Sequence, residues 1–419
     1  MAVSFRSKRL RRFKVLRVPS RVVERVPDKE FLRHFAPLQD PRVDRTKEHL
    51  LIDIVVIAVL AVLGGADGWT AIATYGMAKQ RWLEQFLALP NGIPSHDTFA
   101  RLFARLDPEM VGACFMSWMS EVVEGLGAQV IAIDGKCLRG SYDRDKGRKA
   151  LHLVSAFATQ NRIVLAQAKV MNKSNEITAI PKVLALLDLV GSIVTLDAMG
   201  CQRDIASQII DQKGDYILSL KGNQGNLHNS IQDAFKTAQV KQFTDIEHDF
   251  YRTLEIGHHR IESRQCWVIP ITALVDIPYF KAWSGLQSVV MIRSQRKLWN
   301  KTTHEDRLYI TSLPPQAQKI LQAIRSHWGI ENQLHWVMDV TFNEDASRIR
   351  KDHAPENFAL LRRMANHLLL QEKTFKGSLK MKRYQAGLDN DYMITILSTL
   401  NLQIPSEICQ NNLSSEIQN

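Results

Sequence analysis

An α/β fold, one mixed sheet covered by helices, is predicted by three features of this chain. Residues 31–126 read as helix throughout, three strand-like segments follow Gly125-Leu126-Gly127, and strand and helix patterns then alternate as far as Phe235. At 419 residues, with 45% apolar and 23% charged side chains, the chain has the length and composition of a globular protein of two or three domains.

Residues 1–28 contain SFRSKRLRRFKVLRVPSRVVERVP, which has little periodicity and a proline-punctuated end, so they read as a basic flexible arm. Nine Lys/Arg stand against the single acid Glu24 in residues 1–25. Such an arm serves equally as a phosphate-binding extension or as a solvated leader. The helical stretch then holds Leu50 to Leu63, Trp69 to Leu89, and Asp97 to Leu106, the last begun by the polar cluster Ser95-His96-Asp97-Thr98 after Pro94. These helices suit a helix-turn-helix that reads DNA or a plain docking domain, and their spacing does not separate the two.

The first strand, Val130 to Ile133, is an unbroken apolar run leading into Asp134, Gly135 and Lys136. Ala150 to Thr159 and Arg162 to Val170 follow as strands joined by a tight turn at Gln160-Asn161. Next come a helix over Glu176 to Leu189, the strand Ser192 to Leu196 running into Asp197, a helix near Arg203 to Gln212, the strand Tyr216 to Leu220, and a helix from about Gln224 to Phe235. The region from Gln242 to Leu313 returns to strand patterns and reads as a β-rich insertion. From Pro314 the chain is helical to about Gln371 and ends in a polar tail. The expected divisions are therefore 1–28, 29–126, 127–240, 241–313, 314–385 and 386–419.

The net charge of +11 is unevenly spread. The arm and residues 343–383 are strongly basic, while the remainder is slightly acidic, a pattern suited to a carboxylate cluster flanked by phosphate-neutralising elements. The run Leu50 to Leu63 is too short to span a membrane and contains Asp53. The basic N-terminus is not followed by an apolar segment and cleavage site, and the five cysteines form no CxxC pair. A cytoplasmic protein without a disulfide framework is expected.

Asp134 and Asp197 each close a buried strand, and a glycine follows each, Gly135 directly and Gly200 after Ala198 and Met199. If those strands are parallel neighbours, both carboxylates meet at one sheet edge. Ile324, Trp328, Glu331, His335 and Met338 recur at helical spacing, which turns Glu331 toward the sheet as a third acid. Oxygen-only ligands select Mg2+ or Mn2+, and such ions support in-line phosphoryl transfer on a phosphodiester. The spacing of His327, Glu331 and His335 also admits zinc, but lacks HExxH and leaves both aspartates without a role. There is no GxSxG, and the glycine pair in KGNQGN at Lys221 to Asn226 is too closely spaced for a P-loop and reads as a turn.

The ordered motifs AIDGK, KSNEI, TLDAMGCQ, YILSLKGNQ, GHHRIESR and HWGIENQLHWVMDVTFNED resemble the ISAs-type insertion-sequence transposases, which include the H-repeat-associated group. FAPLQDPR and NGIPSHDTFARLF resemble the N-terminal associated domain of that family. The resemblance implies an RNase H-like catalytic core interrupted by the β-rich insertion, with Asp134, Asp197 and Glu331 as a DDE triad that binds magnesium. It further implies DNA partners, namely terminal inverted repeats and target DNA, and an assembly of at least two subunits to hold two ends.

Related transposases carry a Tyr, Arg, Glu, Lys signature around the last acid. Here the matching places hold Ile324, His327, Glu331 and Met338. Phosphate contacts are therefore expected from Arg325, His327, Lys221 or Arg348, and near the metal from Lys136 and Arg139. A nuclease without strand transfer and a non-catalytic DNA-binding relic are the competing readings.

Overall fold

Burial of one long apolar helix organises the N-terminal third. In α1 (Leu51–Leu63) every side chain from Asp53 to Leu63 is withdrawn from solvent. The computed structural model describes residues 33–398 except 124–126, 143–146, 148, 171–174, 258–259 and 275, so the expected arm and the end of the tail lie outside the described residues. Among those described, no helix is long and apolar enough to cross a membrane.

Three further helices follow: α2 (Trp69–Leu83), α3 (His96–Phe103) and α4 (Pro108–Val123). Ser95 caps α3, its hydroxyl accepting from the Thr98 N–H, as the polar cluster predicts. These helices share one apolar core with helices from the far end of the chain. Trp69 stacks on Phe103 at 5.2 Å and meets Phe358 edge-on at 5.0 Å, while the Asn357 amide donates to the carbonyls of Phe103 and Leu106.

The sheet has nine strands: β1 (Val130–Leu138), β2 (Leu151–Ala158), β3 (Ile163–Lys169), β4 (Ile193–Leu196), β5 (Asp215–Leu220), β6 (Asp249–Gly257), β7 (Arg260–Pro270), β8 (Ser288–Leu298) and β9 (Thr302–Thr311). Their order is β3-β2-β1-β4-β5-β9-β8-β7-β6. The β1–β4 and β4–β5 pairs are parallel and the rest antiparallel. Parallel neighbours need a crossover. Two helices supply these, α5 (Glu176–Leu184) ahead of β4 and α6 (Arg203–Asp211) ahead of β5.

After α7 (Gly225–Val240), the region read as an insertion continues the same sheet, because β9 pairs directly with β5. Its first two strands, β6 and β7, form an antiparallel hairpin. The far half of this ribbon leaves the core: β8 is buried from Ser288 to Ile292 and exposed from Gln295 to Leu298, and Trp299 beyond it is 91% exposed.

The C-terminal helical stretch departs from a simple continuous helix. A regular α8 (Ala317–Gly329) passes into a π turn (Ile330–His335) and then α9 (Trp336–Phe342). Asn343 ends it in the left-handed conformation at φ 50°. Then come α10 (Ala354–Gln371), α11 (Leu379–Leu388) and α12 (Asn390–Ser398). The last of these lies within the division 386–419 expected as the C-terminal tail, and its Tyr392, Met393 and Ile396 are buried in the core.

Candidate active site

Strand register brings the two aspartates together. In the parallel pair Ile133 lies opposite Leu196, so Asp134 and Asp197, the next residues along, are side by side where β4 stops. Contrary to expectation, Asp134 is not at the exit of its strand. β2 pairs with β1 beyond that point, so Asp134 sits within a strand whose other neighbour has ended. Asp197 is held by N–H donation from Met199 and Gly200 at 3.0 and 3.2 Å.

Asp134 is mostly buried, and burial pushes its pKa up to about 7. The Gly135 N–H opposes that rise, while the negative charges of Glu176, Asp197 and Glu331 add to it. Four carboxylates therefore share one electrostatic neighbourhood. Among the described residues, no three His, Cys, Asp or Glu side chains are gathered into a ready cation cage. The donor chemistry nonetheless fits a hard divalent cation, because oxygen ligands that repel one another are stabilised by a shared positive charge.

Glu331 reaches this neighbourhood differently from the helical stripe. Ile324 and Met338 are buried as predicted, but Trp328 is 44% exposed and Glu331 is exposed too. The π turn widens the helix at that point and breaks the 3.6-residue register on which the stripe depends. His335 Nδ1 lies 3.6 Å from Asp134 Oδ2, and burial with the nearby cations Lys136 and Arg363 pushes its pKa down to about 3. His327 Nδ1 is 2.9 Å from the Thr195 hydroxyl, and burial likewise lowers its pKa. Its imidazole is thus engaged at the end of β4.

Lys136 is placed differently from the phosphate contact expected of it. It is 7% exposed, and its ammonium donates to Asp339 at 2.5 Å, to Glu344 at 3.1 Å and to the His335 carbonyl at 3.3 Å. Arg363 binds the other oxygen of the fully buried Glu344 at 2.7 Å. This network ties β1 to the helix that follows Glu331. Arg139 is 85% exposed beside Asp345, and Lys221 and Arg348 are exposed. Arg325 pairs with Glu255 on β6 and lines a groove of about 540 Å³ with Trp328 and Arg264.

Two contributions lie outside the predicted set. Asn223 and Gln224, in the stretch read as a plain turn, donate to the carbonyls of Ala198 and Cys201 and brace the loop that carries Asp197. Glu176 belongs to the KSNEI motif, where an acid after asparagine carries no chemical signal by itself.

Two family models match the chain. Residues 125–367 match the family model described as Transposase DDE domain, and residues 32–119 match the one described as DDE_Tnp_1-associated. The chain belongs to the DDE transposase family. It is 41% identical to YncI of Escherichia coli O157:H7, named as a transposase, over 88% of this chain and 94% of that one. It is 39% identical to YhhI of Escherichia coli K12, named as an H repeat-associated transposase, over 88% of this chain and 98% of that one.

Proposed function

We propose that this chain cleaves the ends of an insertion sequence and joins them to target DNA, with Asp134, Asp197 and Glu331 as the catalytic carboxylates. The observation that carries the proposal is the parallel register that sets Asp134 beside Asp197, within the electrostatic reach of Glu331. These residues would hold Mg2+ or Mn2+, which when bound activates the attacking oxygen and stabilises the leaving oxygen. The chain's own part is orientation. Backbone N–H groups fix Asp197, the Asn223 and Gln224 amides brace its loop, and the Lys136 network holds β1 against the helix after Glu331.

The core is read as RNase H-like, and the N-terminal helices as the domain that accompanies it. Phosphate contacts are assigned to Lys221, Arg348, Arg139 and Arg325, of which Arg325 must leave Glu255 to make one. Two ends held at once call for a homodimer on DNA. Asp134→Asn is expected to lower magnesium-dependent cleavage of terminal-repeat DNA by at least about a thousandfold, within the span catalytic groups supply, while leaving the unfolding midpoint near wild type. Retained cleavage overturns the assignment, and cleavage by wild type without joining to a target plasmid marks a nuclease.

A further inference from the structure

The motif GHHRIESR, which ends on Arg264, has no part in the triad. Its Arg260, Glu262 and Arg264 alternate along β7, so they share one face of the ribbon, and all three line the groove that Arg325 of α8 lines from the other side. Glu262 is only 6% exposed, although its neighbour on β8 is Arg296, in the part of that strand that has left the core. A glutamate is rarely buried so far unless it is paired. Arg296 donates to Glu262 Oε1 through Nε at 2.8 Å, Arg260 approaches the same oxygen through Nε at 3.0 Å, and Arg264 pairs with Oε2. Glu255, opposite Glu262 on β6, pairs with Arg264 and Arg325.

One arginine neutralises one glutamate. Here four arginines surround the two glutamates, while Arg307, a fifth arginine of the groove, is matched by Glu305 at 2.8 Å. The face therefore carries two positive charges in excess. The surplus reaches solvent, because the side chains of Arg260 and Arg296 are 41% and 53% exposed. A guanidinium held through Nε keeps the amino edge of its fork for another acceptor, and that planar edge matches two oxygens of a phosphate. The groove also has a direction. Arg307 lies over the Trp328 ring at 4.9 Å, and Asn332, the residue after Glu331, lines the same groove.

We propose that this arginine face of β7 and β8 is a track for the phosphate backbone of the DNA whose end reaches Glu331, with Glu262 as the positioning residue that fixes Arg260 and Arg296. The inference rests on the DNA-cleaving reading above. The alternative, ion pairs that only stiffen the ribbon, predicts a loss of stability with no change in DNA binding.

Filter binding of terminal-repeat duplex to the full chain across a salt series, in EDTA so that no strand is cut, separates these readings. The double variant Arg260→Gln/Arg296→Gln is expected to lower the slope of log affinity against log salt by about 1.8, two phosphate contacts at roughly 0.9 each. Arg260→Lys/Arg296→Lys, which retains both charges, is expected to keep most of the wild-type slope. Should the double glutamine variant fail to fold, Arg296→Gln alone, at the exposed end of β8, should lower the slope by about 0.9. A wild-type slope in a folded glutamine variant overturns the proposal. So does a lysine variant as impaired as the glutamine one, which would trace the loss to ribbon structure instead of charge. If the glutamine variant keeps the wild-type slope while wild type cleaves and Asp134→Asn does not, the triad stands and the track falls. If wild type neither binds the duplex in a salt-dependent manner nor cleaves it with magnesium, both readings fall.

Discussion

At the scale of single residues, buried charges fasten this transposase together. Glu344 is fully buried, and although burial opposes its ionisation, Arg363 and Lys136 bring its pKa down to about 2. Removing one partner from such a network leaves an uncompensated charge, so Lys136→Met is expected to cost about 3–5 kcal/mol. Urea denaturation measures this, and an unchanged midpoint would mean that Arg363 alone suffices for Glu344. A second buried acid gives a pH signature. Glu372 accepts from the N–H groups of Thr374 and Phe375 and from the Tyr392 hydroxyl, and lies 3.0 Å from the Lys382 ammonium. Burial opposes its ionisation, but these donors win and hold it at about 2. Because the folded value is depressed, its contribution is complete above the unfolded value near 4.3 and drains away as pH falls toward 2. Glu372→Gln should therefore be less stable at pH 7 by roughly 2–3 kcal/mol and lose less than wild type between pH 5 and pH 2.5. Parallel acid limbs in the two stability profiles would contradict this.

At the scale of elements, the π turn decides how Glu331 is presented. A turn one residue wider than α-helix lets α8 pack its apolar side on the sheet while α9 follows in a different register. Deleting Asn332, an exposed residue of that turn, should restore regular helix with little change in thermal stability. Cleavage should nevertheless fall by at least about tenfold, because catalytic geometry tolerates displacement poorly. An active deletion variant would show that Glu331 needs no wide turn. The ribbon of β6 to β9 plays a different part. It extends the sheet that carries both aspartates, and its strand β6 holds Arg325 through Glu255.

At the scale of the whole molecule, the helices before β1 and those after β9 close around a shared core. The Arg383 guanidinium shows this closure: it donates to the carbonyls of Val62 and Ala66 near α1, and to that of Thr341 on α9. Truncating either end should therefore destabilise the nine-stranded sheet rather than release an independent unit. The basic residues 1–25 are a separate matter of charge. Their removal should reduce the slope of log affinity for DNA against log salt by up to roughly 0.9 for each phosphate that the arm neutralises. Filter binding across a salt series measures it, and an unchanged slope would show that the arm neutralises none.

The amino-acid sequence alone determined most elements and the place of Asp197 at the end of β4, but not that of Asp134, which pairing with β2 leaves inside its strand. Local apolar patterning and ordered motifs are properties of short stretches, and they survive folding unchanged. The tertiary structure alone decided that Lys136 turns inward, that the four ribbon strands extend the same sheet, and that Glu176 lies against Gly135. Each depends on a partner remote in the chain: Lys136 on Glu344, β5 on β9, Gly135 on Glu176. The exposure of Glu331 was hidden for other reasons: the stripe already fails at Trp328 in regular helix, and the π turn then departs from 3.6 residues per turn where that acid stands.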